Sequence, residues 1–300
     1  MSKSAIVIGA GIGGLACAIR LSVKGYTVTV IEKNDYVGGK LHRIQSKEYY
    51  FDAGPSLFTL PELIDELFEL TGKSNTFRYE QVNPVCHYFF PNGQTFKAAA
   101  DANGFSKSFS KEFSEDEYQL GKFLKQIRKN YEITSLVFLE RSLHKLSTYF
   151  RLTGLRGIMN LWRLRMFTSM NNHLSNYFKN PNALQYFNRF ATYNGSNPFK
   201  APATLCVIQN IEISKGAYFP QGGMHSITKT LYQLALDCGV VFKLNTSVKK
   251  ILTKDGLARG IVTNTDETLS SEIVVSNVDA KLTYKMLNSP LPKKNQKSGE

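Results

Sequence analysis

Apolar residues open the chain in an almost unbroken run, Ala5-Ile-Val-Ile-Gly9. A short run rich in β-branched side chains suits a strand buried on both faces of a parallel sheet. Beyond a glycine cluster, Leu15, Ile19 and Leu21, with Ala16 and Ala18, recur at helical spacing up to Gly25. Tyr26-Thr-Val-Thr-Val-Ile31 predicts a second strand, closed by Glu32. Farther on, a helix is expected over 62–71, behind Pro61. Strands are expected within 77–96, around turns at Asn83-Pro84 and Pro91-Asn92-Gly93. The stretch from about 105 to 200 reads as mostly helical. After it come a strand over 204–213, a helix over 223–238 and a strand over 240–242. Segments 248–253, 257–263 and 272–276 predict a β-meander, its first hairpin turned by Lys254-Asp255-Gly256. No internal repeat is visible.

The order strand, glycine turn, helix, strand, acid changes a list of elements into a site. Gly9-Ala-Gly11-Ile-Gly13-Gly14 sits where the first strand passes into the first helix, and Glu32 follows about 20 residues on. This is the βαβ dinucleotide fingerprint. Gly9 serves the tight turn, Gly11 lets a pyrophosphate approach the backbone, and Gly14 lets helix and strand pack closely. The helix amino terminus offers free N–H groups to phosphate. Glu32 is placed to accept from ribose hydroxyls, and its charge disfavours a 2′-phosphate, hence NADP. A secretory leader ending at Ala16-Cys17-Ala18 competes for the same run, but it gives the glycines no purpose.

The chain of 300 residues, 42% hydrophobic, is long enough for about two domains and excludes wholesale disorder. Cys17, Cys86, Cys206 and Cys238 lie far apart, without a metal-type spacing or a disulfide framework, which suits a reducing cytoplasm. His42, His87, His144, His173 and His225 show no ligand spacing, and no metal is expected. There is no apolar run long enough to cross a membrane.

A second glycine doublet follows the acid in Glu32-Lys33-Asn-Asp-Tyr-Val-Gly38-Gly39-Lys40, a close backbone approach and then a cation that suit an extended diphosphate. With Phe51-Asp52-Ala-Gly54-Pro55-Ser56, this doublet resembles the amine oxidase and phytoene desaturase superfamily of FAD enzymes. That superfamily usually has Arg where Lys40 stands, and Lys keeps the charge without the bidentate fork. The stretches 51–61, Tyr218-Phe-Pro-Gln-Gly-Gly-Met-His-Ser-Ile227 and Val274-Val-Ser-Asn-Val-Asp279 are similar to bacterial carotenoid desaturases. Segments 139–148 and 190–198 resemble more closely the subgroup of 1-hydroxycarotenoid 3,4-desaturases.

The resemblance implies an α/β fold. A Rossmann-like FAD-binding domain, βαβ plus β-meander, would occupy 1–75 and 216–300, with an α+β substrate and membrane-contacting domain inserted over 76–215. Gly9, Gly11, Gly13, Gly14, Glu32 and Lys33 would hold the adenosine and diphosphate side of FAD, and Gly39 and Lys40 would support the diphosphate. Gly54, Pro55 and Ser56 would lie near the isoalloxazine, and Val248 would contact adenine through its backbone. The implied activity is desaturation of a C40 carotenoid, with hydride passing to the flavin. The flavin would carry the chemistry, so no catalytic side chain is assigned. A carotenoid isomerase, a ketolase, an amine oxidase and a non-catalytic prenyl- or lipid-binding relative share the fingerprint. The family's usual carboxy-terminal FAD motif has no counterpart here. A fragment of a desaturase that binds FAD weakly by itself is therefore expected.

The formal net charge of +13 is concentrated in the middle of the chain. No acid lies between Glu140 and Glu212, whereas Arg141, Lys145, Arg151, Arg156, Arg163, Arg165, Lys179, Arg189 and Lys200 do. Leu152, Leu155, Met159, Trp162 and Met166 form a helical stripe among them, the pattern of an interfacial helix or of a soluble cap packed in the core. A lipid-soluble substrate favours the first. Region 141–200 is expected to meet an anionic membrane surface, so the protein would be cytoplasmic and peripherally membrane-associated. Nucleic acid is not expected, since no recognition module is visible.

Overall fold

A computed structural model describes residues 3–135 and 165–288, which form two compact units. One comprises 1–80 and 219–300, the other 81–218. The segments expected at 139–148 and at the stripe Leu152 to Trp162 lie outside the described residues.

The first unit starts as its sequence pattern dictates. Strand β1 (Ser4–Ile8) leads through the glycine turn into helix α1 (Ile12–Val23), and β2 (Thr27–Ile31) returns parallel to β1. A hairpin of β3 (His42–Ser46) and β4 (Tyr49–Ala53) follows, then α2 (Glu62–Thr71), closed by Gly72 in the left-handed region. The chain passes into the second unit within β5 (Tyr79–Gln81).

The second unit opens with the antiparallel pair β6 (Cys86–Phe89) and β7 (Thr95–Ala98). Helices α3 (Ala102–Phe113), α4 (Glu117–Thr134), α5 (Met170–Leu174) and α6 (Pro181–Asn188) follow. Their starts are local chemistry. The Asp101 carboxylate accepts from the Gly104 N–H at 2.6 Å and Asp116 from Tyr118 at 2.7 Å. Asn180 caps α6, whose first residue is Pro181. Phe105, Phe109 and Phe113 put a ring on one face of α3 every four residues and are buried among Phe96, Phe123, Phe178, Tyr186 and Phe187. Phe178 and Phe187 stack at 4.7 Å between centroids. Aromatic pairs of this kind contribute about 0.5–1.5 kcal/mol beyond the area they bury.

The strand expected over 204–213 is not formed. Ala203–Cys206 is a 3-10 turn, 207–210 is α-helical and Ile211–Lys215 a π-helical turn. Its β-branched residues favoured a strand, but packing overrode propensity. Cys206 and Ile213 are drawn into the aromatic core, and the buried Gln209 donates to the Phe187 carbonyl at 2.9 Å.

The chain returns through β8 (Tyr218–Pro220) to α7 (His225–Asp237), β9 (Val241–Lys243), β10 (Val248–Lys254), β11 (Leu257–Thr263), β12 (Thr268–Ser270), β13 (Ile273–Ser276) and α8 (Ala280–Met286). The hairpin turn holds Asp255 and Gly256 at positive φ, as expected. The meander differs from expectation in its last member, because its third strand is β12. The segment expected to fill that place, β13, pairs in parallel with β1 instead, Ile6 opposite Val274 and Val7 opposite Val275. A run such as Ile273-Val-Val is apolar on both faces and belongs in a parallel sheet rather than at a half-exposed meander edge.

The resulting parallel sheet runs β13-β1-β2-β9. Ile6, Ile8 and Ile31 pack against Ile251 and Ile261 of the meander. Ala5 and Val7, one residue out of phase, point to the opposite face. Strand order reverses at β1, with β2 on one side and β13 on the other. In open α/β sheets that switch point, at the carboxyl ends of the strands, is where ligands bind.

Candidate functional site

A cavity of about 1040 Å³ lies at the carboxyl ends of β1, β2 and β13, wholly within the first unit. Ligand pockets span about 300–1,000 Å³, so this one is at the large end. Its walls are contributed by six stretches far apart in sequence: the glycine turn, the segment after β2, the Pro55–Ile64 region, Met224 and Ile227 at the start of α7, Thr246–Lys249 and the segment after β13.

The glycine turn is built by two constraints. A Cβ on Gly14 would lie 2.0 Å from the Gly9 carbonyl oxygen, so α1 meets β1 this closely only without a side chain there. Gly11 precedes α1 as an extended residue, and α1 has no side-chain cap and no acid in its first turn. Its first N–H groups and the positive end of its dipole are thus left for an anion from outside the helix.

Glu32 is buried against this turn at 5% exposure. Its Oε2 accepts from the Ala10 N–H at 2.7 Å and its Oε1 from Asn34 at 3.0 Å. Two backbone donors fix the carboxylate and leave lone pairs for further donors, as a ribose diol would supply. The Glu32 backbone pairs with the end of β9 and the segment after it, its N–H with the Lys243 carbonyl and its carbonyl with the Thr246 N–H. That pairing brings Thr246, Ser247, Val248 and Lys249 to the cavity wall beside it.

The second glycine doublet rests on the first. The Gly38 N–H donates to the Ala10 carbonyl at 2.8 Å, and the Thr228 hydroxyl of α7 donates to the Leu41 carbonyl at 2.7 Å. Gly38 takes φ +106, and a Cβ on it would meet the Leu41 oxygen at 2.5 Å and Thr228 at 2.6 Å. Lys33, Lys40, Lys249 and Lys285 line the cavity against the acids Glu32 and Asp279, a positive excess that suits a diphosphate.

Gly9, Gly11, Glu32, Lys33, Gly39, Lys40, Pro55 and Val248 therefore line one cavity. Gly13, Gly14, Gly54 and Ser56 do not. Gly14 serves the packing of α1 on β1, Gly13 lies against Asn277, and Gly54 lies against the Lys40 carbonyl. Sequence reasoning assigned no role to Asp52, Thr228 or Asn277. Asp52 accepts from the Met224 and His225 N–H groups at 2.6 and 3.0 Å, joining the amino terminus of α7 to the segment that carries Gly54 and Pro55. The stretches holding Asp52 and Asn277 were legible as motifs, but their long-range contacts leave no periodic signal. His225 has no partner for its buried Nδ1. Burial, then the charges of Arg43 and Lys229, hold its pKa below the ordinary histidine value. Among the described residues there is no cluster of metal-ligating side chains and no helix long and apolar enough to cross a membrane.

The residues present fit FAD. The glycine turn opens onto the cavity at Gly9 and Gly11, the amino terminus of α1 is uncapped, a carboxylate stands at the end of β2, and the cavity extends past these polar features to Leu57, Phe58, Leu60 and Ile64. Comparison with known proteins agrees. Residues 12–298 match the model of the flavin containing amine oxidoreductases. The chain is 44% identical to a 1-hydroxycarotenoid 3,4-desaturase of Flavobacterium sp. (strain P99-3), over 95% of this chain and 58% of the relative. It is 33% identical to a phytoene desaturase of Fusarium fujikuroi, over 98% of this chain and 51% of the relative. The chain thus spans about half to three-fifths of the length of these relatives. Among solved structures, an oxidoreductase from Methanosarcina mazei superposes with a TM-score of 0.61 at 18% identity, covering 97% of this chain and 62% of the other, which speaks to the fold.

Proposed function

Because the chain belongs to the flavin-containing amine oxidoreductase family, whose cofactor is FAD, we propose that it desaturates a carotenoid, converting a C–C single bond of a long polyene into a double bond. The observation that carries this reading is the 44% identity to a 1-hydroxycarotenoid 3,4-desaturase along nearly the whole chain. A hydroxylated C40 carotenoid is the favoured substrate and phytoene the second.

When bound, the flavin supplies a hydride acceptor for one carbon while the neighbouring carbon gives up a proton. The work of this chain is to bind and orient. Glu32 takes the ribose of the adenosine, held in place by the Ala10 and Asn34 N–H groups. The amino terminus of α1 and the backbone at Gly11 and Gly39 take the diphosphate, with Lys40 and Lys33 nearby to neutralise it. Val248, on the cavity wall, would border the adenine through its backbone. Pro55, on the cavity wall between Gly54 and Ser56, would border the ring system, in a segment fixed by the bonds from Asp52 to α7. Leu57, Phe58, Leu60 and Ile64 keep water from that end of the cavity.

The second unit is proposed to meet an anionic membrane surface from the cytoplasmic side. Support comes from the acid-free basic stretch 141–200 and from Arg165-Met-Phe167, where Phe167 is fully exposed and Met166 half-exposed beside a cation. A polyene too apolar for water would be taken from that phase.

Expression of the protein with its gene in full in a carotenoid-producing host tests the reaction. Loss of two hydrogens per step from the product mass is expected. Gain of oxygen makes it an oxygenase, and an unchanged mass makes it an isomerase.

A further inference from the structure

The geometry points to Asn277 as a residue that binds the diphosphate of the cofactor, a role that rests on the flavin reading above. Asn277 is the first residue after β13, where β13 and β1 diverge at the switch point of the sheet. Its N–H donates to the Ile8 carbonyl at 2.9 Å, so its backbone continues the β1–β13 ladder to the rim of the cavity.

From that position its side chain leans over the glycine turn. A Cβ built on Gly11 or Gly14 would come within 3.2 or 3.1 Å of Asn277 Nδ2, and one on Gly13 within 2.7 Å of its Oδ1. The amide therefore lies over the glycine turn, beside the uncapped amino terminus of α1 and at the wall of the cavity. Its neighbours in the chain are anchored. The hydroxyls of Ser276 and Thr283 share a hydrogen bond of 2.7 Å, and the Asp279 carboxylate accepts from the Lys281 N–H at 2.8 Å. The Asn277 amide itself has no hydrogen-bond partner among the described residues, although it is held in place by both flanks.

A neutral amide is the chemistry this place needs. Opposite it, the first N–H groups of α1 have no acceptor in the helix or from a side-chain cap, so a group donating from the β13 side completes a set of donors around an anion. Carboxamide N–H groups donate to phosphate oxygens without adding charge, and hydrogen bonds to a charged acceptor are the strong ones. A carboxylate of the same shape would face the diphosphate with a like charge. An asparagine that merely filled space would show no preference between ligands with and without phosphate.

The test is calorimetric titration of the parent protein, Asn277→Ala and Asn277→Asp with ADP and with adenosine. In Asn277→Ala the dissociation constant for ADP is expected to rise about tenfold. In Asn277→Asp it rises further, and adenosine binds all three proteins alike, which also shows that the variants are folded. Equal ADP affinity in parent and Asn277→Asp overturns the inference and leaves the flavin reading standing. A parallel loss of ADP and adenosine also overturns it, since the change then acts on the fold. A parent that binds neither ligand removes the flavin reading and this role together.

Discussion

Gly14 is the residue on which the nucleotide cradle depends most. Any side chain there collides with the Gly9 carbonyl, which is backbone and cannot rotate away. Gly14→Ala should force α1 off β1 and cost about 3 kcal/mol in denaturant unfolding, with flavin affinity falling in parallel. Unchanged stability would mean that the turn is looser than described. A second residue governs the pH response. His173 is 2% exposed, packed against Phe123 and Tyr177, and its Nδ1 has no partner. Burial first, and the Arg165 charge second, lower its pKa from 6.5 to about 4. Above pH 6.5 the side chain is neutral folded or unfolded, and it exerts no pull. As the pH falls toward 4 the unfolded chain takes up the proton first, and stability is lost. The loss attributable to His173 between pH 7.5 and 4.5 should be about 2 kcal/mol. Denaturation of parent and His173→Gln at both pH values measures it, and an identical pH dependence in the two proteins would refute the assignment.

Among the elements, α7 holds the site together. Asp52 fastens its amino terminus and Thr228 fastens its first turns to the second glycine doublet, so two loops from the early chain are set by one late helix. Asp52→Ala removes a cap accepting two N–H groups and should cost about 1–2 kcal/mol, lowering the melting temperature by several degrees. Asp52→Asn, which keeps an acceptor, should recover part of it. Legibility followed the same division. The elements β1, α1 and β2 were readable because each has its own period and the turn between them has its own chemistry. Two segments read wrongly were decided by distant partners. The run 204–213 has strand composition, yet it turns helical because Cys206 and Ile213 find the aromatic core and Gln209 finds a carbonyl. For β13, strand was right and the partner wrong, since the choice between a meander edge and β1 depends on where both stand in space. The site itself was legible where glycines and Glu32 mark it. Asp52 and Thr228 act across 172 and 187 positions of chain and Asn277 against a turn far upstream, and no local pattern betrays them.

At the scale of the whole molecule the two units divide by chemistry. The first presents a positive, glycine-lined cavity, and the second combines an aromatic core with the acid-free basic stretch of the sequence. If the second unit meets lipid through Phe167 and its neighbouring cations, the protein should sediment with vesicles containing anionic phospholipid and stay in solution with purely zwitterionic ones. High salt should weaken the binding, and Phe167→Glu should reduce it about tenfold. Equal binding to both vesicle types would remove the electrostatic part of that proposal. The central claim lies in the first unit, and flavin binding tests it most directly. Titration of the purified protein with FAD, followed by flavin fluorescence, should show saturable binding of one FAD per chain that Glu32→Ala weakens about tenfold or more. No saturable change with FAD, or an affinity indifferent to Glu32, would contradict the assignment of this cavity to a flavin dinucleotide.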